Sequence, residues 1–301
     1  MANPWAPDQT ITVDHAEQLI SKDFPELHPV HAELLGYGFD NTVFKVNGQY
    51  VFRFPRREIA VDLLKTEESV LPLLAGLGMA VPVPLFSGNP GCGYKWPYLG
   101  YRHVAGKTPV KWNGEQQNQN AQKLAYFLKA LHGIPVETAG NSGAEPDTLG
   151  RLDMNKRIPM LRETAAKLSD LLPESPIVKQ LKTCVEKRKP LKQDSSNCLV
   201  HGDLHIRNVL VDEEGSLTGV IDWGDLHIGH PAVDLSAVYG FFTPHARKVF
   251  FEIYGDVSSA TAELARFKGI YTLSLLLLYG IDQKDNDLIS LSEQALGTAM
   301  I

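Results

Sequence analysis

Short β-branched and aromatic runs fill the first hundred positions of the chain, and longer runs of helical period fill most of the remaining two hundred. LLGYGFDNTVFKVNGQYVFRFP reads as two strands joined at Asn47-Gly48, a strong hairpin turn signal. EESVLPLLAGLG follows as the end of a helical stretch, and VPVPLFSGNPGCGYKWPYLGYRHVAGKTP as extended segments broken by turns. In NQNAQKLAYFLKALHGI, Leu124, Phe127, Leu128 and Leu131 share one face, which predicts an amphipathic helix ending near Gly133. DTLGRLDMNKRIPMLRETAAKLSDLLPESPIVKQLKTCVEKRK is charged but helix-compatible, and is expected to form a helical cover over a substrate site with most of its charges solvated. VLVD and LTGVID then have the short apolar character of buried strands, with EEGS as the turn between them. HPAVDLSAVYGF opens another apolar helix. The most apolar run, LSLLLLYGI near residues 273–281, is too short to span a membrane and reads as a core helix. No internal repeat, long low-complexity tract or heptad pattern interrupts this order.

The chemistry concentrates around the second hairpin, in HGDLHIRNVLVDEEGSLTGVIDWGD, His201 to Asp225. Asn208 immediately precedes the first strand and Asp222 ends the second, so antiparallel pairing brings an amide oxygen beside a carboxylate. Hard oxygen donors of this kind suit Mg²⁺, which keeps several waters and draws its other ligands from carboxylates and phosphates. Asp203, on the loop before the first strand, faces the same space, where it can accept or orient a hydroxyl proton. His201 is suited to bracing the loop by hydrogen bonding, and Gly202 permits an unusual backbone. Asp and Asn also favour plain turns. For the set together, the agreement of several residue types with their strand context outweighs that reading.

H-x-D-x-x-x-x-N followed by a hydrophobic hairpin and I-D resembles the catalytic and metal-binding loops of the aminoglycoside phosphotransferase family, antibiotic kinases related to the protein kinases. HGD and IDWGD, in place of H-R-D and D-F-G, favour antibiotic and metabolite kinases over protein kinases. The resemblance implies an α+β, bilobal, protein-kinase-like fold: a small β-rich nucleotide-binding lobe with its hinge over 1–104, and a larger, mainly helical catalytic and substrate-binding lobe over 105–301. It implies Asp203 as the catalytic base or orienting group and Asn208 and Asp222 as metal ligands. A nucleoside triphosphate, ATP or GTP, would lie between the lobes. Gly36 and Gly38 would let the backbone approach its phosphates. Arg53 stands where the family usually has a phosphate-binding Lys and would pair with Glu67; its planar fork is not equivalent to an ammonium. Arg56, Arg57 and Glu68 are neighbouring alternatives, with Arg56 and Arg57 preferred as solvated charge. His103 and Val104 would meet the base at the hinge. Asp234 looks like the residue that anchors the catalytic loop from below, a role compatible with helix capping, and the LxxLH ending of the preceding amphipathic helix also fits the family. His132 itself is assigned no chemistry.

Composition narrows the partners. The chain has 301 residues, 44% of them hydrophobic, which is room for two lobes with real cores. A formal charge of −6 argues against a nucleic-acid binder and suits a cationic small molecule. Asp225, Asp282, Asp285 and Asp287 are candidates for attracting the amines of such an acceptor. Cys92, Cys184 and Cys198 form neither a metal pattern nor an even disulfide framework. The amino terminus lacks the basic start and apolar core of a secretory signal, so the expected setting is cytoplasmic, with no membrane partner and a monomer as the default. The motifs favour aminoglycoside 2″-type enzymes somewhat over macrolide kinases, leaving a macrolide, or an endogenous sugar or amino alcohol, as alternative acceptors. A nucleotide-binding pseudokinase module is the non-enzymatic alternative, and retention of Asp203, Asn208 and Asp222 weighs against it.

Overall fold

The computed structural model describes residues 7–38, 40–109, 112–186, 188–191 and 196–301. The chain divides into two compact units, Met1–Gly76 with Ala80–Ala105 and Trp223–Asp225, and Leu77–Met79 with Gly106–Asp222 and Leu226–Ile301.

In the first unit, helix α1 (Val13–Asp23) precedes an antiparallel sheet of β1 (Ala32–Tyr37), β2 (Asn41–Val46), β3 (Tyr50–Pro55), β4 (Pro84–Gly88) and β5 (Tyr98–Arg102), in the order β1-β2-β3-β5-β4. The segment expected to hold two strands holds three. The Asn47-Gly48 turn joins β2 to β3, with positive φ at both residues as a primed turn demands. An additional strand, β1, precedes them, so Gly36 lies within it, beside a register shift between Leu34 and Gly36, and Gly38 lies in the turn after it. Sequence patterning missed β1 because this edge strand is largely exposed and lacks alternation. Phe44, Phe52, Phe54, Tyr94 and Tyr98 form the core together with Leu19 and Ile20 of α1. Phe54 stacks on Tyr98 at 4.4 Å between ring centroids. Helix α2 (Ile59–Val70) carries Glu67 at a buried position.

The second unit is mainly helical: α3 (Gly114–His132), α4 (Val136–Asn141), α5 (Met154–Leu171), α6 (Pro176–Glu186), α7 (Ala232–Phe241), α8 (Pro244–Tyr254), α9 (Ser259–Gln283) and α10 (Asn286–Met300). Its short strands are β6 (Cys198–Val200), β7 (Val209–Val211), β8 (Leu217–Val220) and β9 (His227–Gly229), paired as β6 with β9 and β7 with β8. Helix α3 starts with an Asn113 capping box and buries Leu124, Phe127, Leu128 and Leu131, the predicted face. Its buried Asn120 donates to the Gly215 carbonyl at 2.9 Å and accepts from the Leu217 amide at 2.8 Å, which clamps the β7–β8 turn. Lys107 exchanges both backbone hydrogen bonds with Val211, and Gly106 is what permits that approach. Its φ is +138°, and a Cβ there would lie 2.9 Å from Leu210 Cβ.

One expectation about length is corrected. The run at 273–281 is part of the 25-residue α9, which by length and composition is sufficient to cross a bilayer. Most of its apolar window is nevertheless buried within the protein, and it packs on α7 and α10 with Lys268 among its buried residues. A core helix accounts for these features.

Candidate active site

The His201–Asp222 segment of the second unit is held by buried polar groups. Asp234, in the first turn of α7, is fully buried, and its carboxylate accepts the backbone N–H groups of His201 at 2.7 Å and Gly202 at 3.0 Å. Gly202 takes φ +90°, the left-handed conformation for which glycine is suited. His132 Nε2 meets Asp234 Oδ2, the oxygen that also accepts the His201 amide, at 3.2 Å, while His132 Nδ1 meets the Tyr254 hydroxyl at 2.7 Å. Burial pushes the Asp234 carboxyl up, but the hydrogen bond and charge of His132, with His201, outweigh it and hold the group below the usual carboxylate range. Asp234 therefore holds the loop at two consecutive backbone amides. His132, at the end of α3, is the side-chain partner of Asp234. Its neighbours in space are 102 and 122 residues away in sequence, a separation that local reading does not bridge.

His201 is buried and works through both ring nitrogens. Its Nδ1 accepts the Asp203 amide at 3.2 Å, so the proton resides on Nε2, which donates to the Ile221 carbonyl at 3.0 Å. One ring thereby ties the loop of Asp203 to the residue preceding Asp222. The hairpin reinforces this link, because Ile221 donates its amide to the Asn208 carbonyl at 2.9 Å. Asn208 Nδ2 donates to the backbone carbonyl of Asp203 at 2.9 Å, which leaves its Oδ1 as the amide atom suited to a cation. Asp222 is exposed and has φ +63°, an uncommon conformation for a residue with a side chain. An amide oxygen and a carboxylate at the end of one hairpin fit Mg²⁺ by donor chemistry. Asp203 itself retains 38% of its side-chain exposure, and its Oδ2 lies 3.2 Å from His205 Nε2. Burial raises its affinity for a proton, yet His205, Lys268 and His201 together hold the carboxyl well below the usual range, so it is ionised at neutral pH. The His205 contact is a feature that motif reading passed over.

In the first unit, Arg53 on β3 and Glu67 on α2 form an ion pair at 2.7 Å with side-chain exposures of only 14% and 2%. Gly224 belongs to this unit as well, and a Cβ on it would lie 3.7 Å from Glu67 Oε1 and 3.8 Å from Arg53 Nη2. The segment just after Asp222 thus lies against the pair. Glu68 is turned elsewhere, accepting from the Ser87 hydroxyl. Arg56 and Arg57 are not the solvated charges they were expected to be. Arg56 Nη1 donates to the Gly38 carbonyl at 2.9 Å and its guanidinium covers the Tyr37 ring, while Arg57 pairs with Asp40. Both arginines hold the turn that contains Gly38. A Cβ would meet nothing within 4 Å at Gly36 and only the Asn41 carbonyl at Gly38, so this backbone is open to close approach.

Of the hinge residues, His103 donates its amide to the Gln49 carbonyl at 2.8 Å, so that donor is engaged within the first unit. Val104 comes next at a half-buried position. Burial, aided by Lys45, holds the His103 ring below its ordinary pKa. Asp225 is in the first unit, whereas Asp282, Asp285 and Asp287 lie at the α9–α10 junction of the second. Asp285 caps α10 by accepting the Leu288 amide at 3.0 Å, the use that an Asp ahead of an apolar helical run serves.

Residues 31–269 match the family described as "Phosphotransferase enzyme family", abbreviated APH. The chain belongs to that family. Among individual phosphotransferases, viomycin phosphotransferase of Streptomyces vinaceus is 26% identical over 255 residues, covering 80% of this chain and 84% of the relative. The GDP complex of wild-type aminoglycoside 2'-phosphotransferase-IIIa is similar with a TM-score of 0.67 and 26% identity, over 96% of this chain and 99% of that one. Macrolide 2'-phosphotransferase MphH from Brachybacterium faecium shares the fold, with a TM-score of 0.58, 18% identity and coverage of 94% and 97%. The five-stranded antiparallel sheet and the helical second unit are thus the two parts of a protein-kinase-like fold within the phosphotransferase family.

Proposed function

We propose that this phosphotransferase moves the γ-phosphoryl group of ATP or GTP to a hydroxyl of a small molecule, with Asp203 as the group that takes the hydroxyl proton. The observation that carries the reading is the bracing of Asp203: His201 and Asp234 fix its loop, and Asn208 and Asp222 present oxygen donors on the same hairpin. Asn208 and Asp222 would hold Mg²⁺, whose contribution when bound is neutralisation of phosphate charge. Asp203 orients the acceptor hydroxyl and receives its proton as the oxygen attacks phosphorus. The bond from phosphorus to the β-phosphate oxygen breaks, and its electron pair leaves with the nucleoside diphosphate. In the first unit, Gly36 and Gly38 offer open backbone to phosphate, Arg53 supplies a cation held in place by Glu67, and the His103 carbonyl and Val104 amide remain for a base. Positioning and electrostatics carry most of the catalysis in such reactions.

The acceptor in this reading is an antibiotic, with an aminoglycoside first. The named phosphotransferases of viomycin, aminoglycosides and macrolides support the broader class of antibiotic acceptors. The test is release of ADP or GDP by the purified chain with aminoglycosides, macrolides and simple amino alcohols, run with both nucleotides. Acceleration by an acceptor supports the reading; nucleotide binding with no acceleration by any of them favours the module without enzymatic activity. In the same assay Asp222→Ala should weaken magnesium dependence and nucleotide affinity together, and an unchanged Mg²⁺ titration would count against that ligand.

A further inference from the structure

We infer that His205 is a positioning residue for Asp203, holding one carboxylate oxygen by its Nε2–H so that the other receives the proton of the acceptor hydroxyl. The inference rests on the phosphoryl-transfer reading above and assigns a residue which that reading does not use.

The geometry fixes the tautomer. His205 Nδ1 accepts the backbone N–H of Arg207 at 3.3 Å, so a neutral ring carries its proton on Nε2, and Nε2 lies 3.2 Å from Asp203 Oδ2. The ring is itself held, with only 14% of its side chain exposed. Its backbone carbonyl accepts from the Asn208 amide at 2.9 Å, and the Arg207 guanidinium covers the Tyr279 ring of α9 at 5.2 Å. The loop between Asp203 and Asn208 is therefore pinned at His205 and Arg207, and the imidazole is aimed at one oxygen of the carboxylate.

A carboxylate without such a contact rotates about χ2 and presents either oxygen. Holding Oδ2 leaves Oδ1 to take the proton as the acceptor oxygen forms its bond to phosphorus and the nucleoside diphosphate departs with the electron pair of the broken P–O bond. A one-point restraint of this kind acts on the rate of the chemical step and has no reason to change nucleotide affinity.

The experiment compares His205→Ala, His205→Gln and Asp203→Asn with the wild-type full chain, following hydrolysis of magnesium ATP and GTP with water as the acceptor. Circular dichroism melting is recorded for each variant. His205→Ala should lower kcat by about 10- to 100-fold, up to the lower end of the range for losing a positioned acid–base group itself, and leave the nucleotide KM within about twofold. His205→Gln keeps an N–H donor on a side chain of similar reach and should recover most of the lost rate. A fully folded His205→Ala enzyme with wild-type kcat, a loss confined to KM, or a Gln variant no better than Ala would overturn the inference. If Ala melts early, Gln decides alone: near-wild-type kcat supports the role and an Asp203→Asn-like kcat overturns it. Asp203→Asn separates the two levels. If it is inactive while His205→Ala is fully active, only the His205 role fails; if it is as active as wild type, or if the wild type turns over neither nucleotide with water or with any acceptor of the panel above, the phosphoryl-transfer reading fails and His205 with it.

Discussion

The loop of Asp203 and the turn of Gly38 are both held by charged side chains, but in different ways. Asp234, fully buried, accepts two backbone amides of the Asp203 loop and one histidine, and His201 ties the same loop to Ile221. The Gly38 turn is held by Arg56 on a single carbonyl and by an Arg57–Asp40 pair with side-chain exposures of 20% and 31%. Buried carboxylates with several donors fix geometry at high energetic stakes, whereas part-exposed pairs hold a segment lightly. The difference matches the proposed tasks. A proton acceptor works only in one orientation, and a phosphate-covering turn has to admit and release a nucleotide.

Substitutions that remove the bracing should rank accordingly. Asp234→Ala has the largest expected effect, because it strands His132 and two loop amides in the interior. Loss of one partner from a buried charged network costs about 3–5 kcal/mol, measurable as a lowered denaturant midpoint. The pH dependence comes from the same group. The folded Asp234 carboxyl titrates below its unfolded value of about 4, so its contribution is complete above that pH and is lost as pH falls through the folded value. Wild-type stability should therefore fall more steeply below about pH 4 than that of Asp234→Asn, and parallel acid curves would contradict the network. Arg53→Lys keeps the charge beside Glu67 but loses the planar fork, and should raise the nucleotide KM by about tenfold or less. At the bottom of the ranking, Arg57→Ala should cost only about 0.2–1 kcal/mol. An Arg57 effect as large as that of Asp234 would erase the distinction between the two regions.

The same contrast explains how much is legible in the sequence. His201, Asp203, Asn208 and Asp222 fall within 22 consecutive residues, so their spacing and the hairpin turn suffice to place them near one another. The fold class is legible for a similar reason: strand-forming runs and helical runs are segregated along the chain. His132, Tyr254 and Asp234 come from three helices, and nothing local in LKALHG points to the partner that its histidine meets. Strand β1 escapes because its exposed residues carry no burial pattern, and Arg56 and Arg57 mislead because a charge run looks the same whether it is solvated or holds a carbonyl. His205 is hidden beside a stronger motif. Its contact with Asp203 depends on a loop conformation that spacing alone does not define.

The most direct measurement of the central claim is acceptor-stimulated release of nucleoside diphosphate by the wild-type chain and by Asp203→Asn, with nucleotide affinity measured in parallel. Stimulation by at least one hydroxyl-bearing acceptor is expected, falling by about 10²- to 10⁴-fold in the variant, as for loss of a positioned acid–base group, while nucleotide binding stays close to wild type. Undiminished stimulation in Asp203→Asn would contradict the assignment of the proton acceptor and the mechanism built on it.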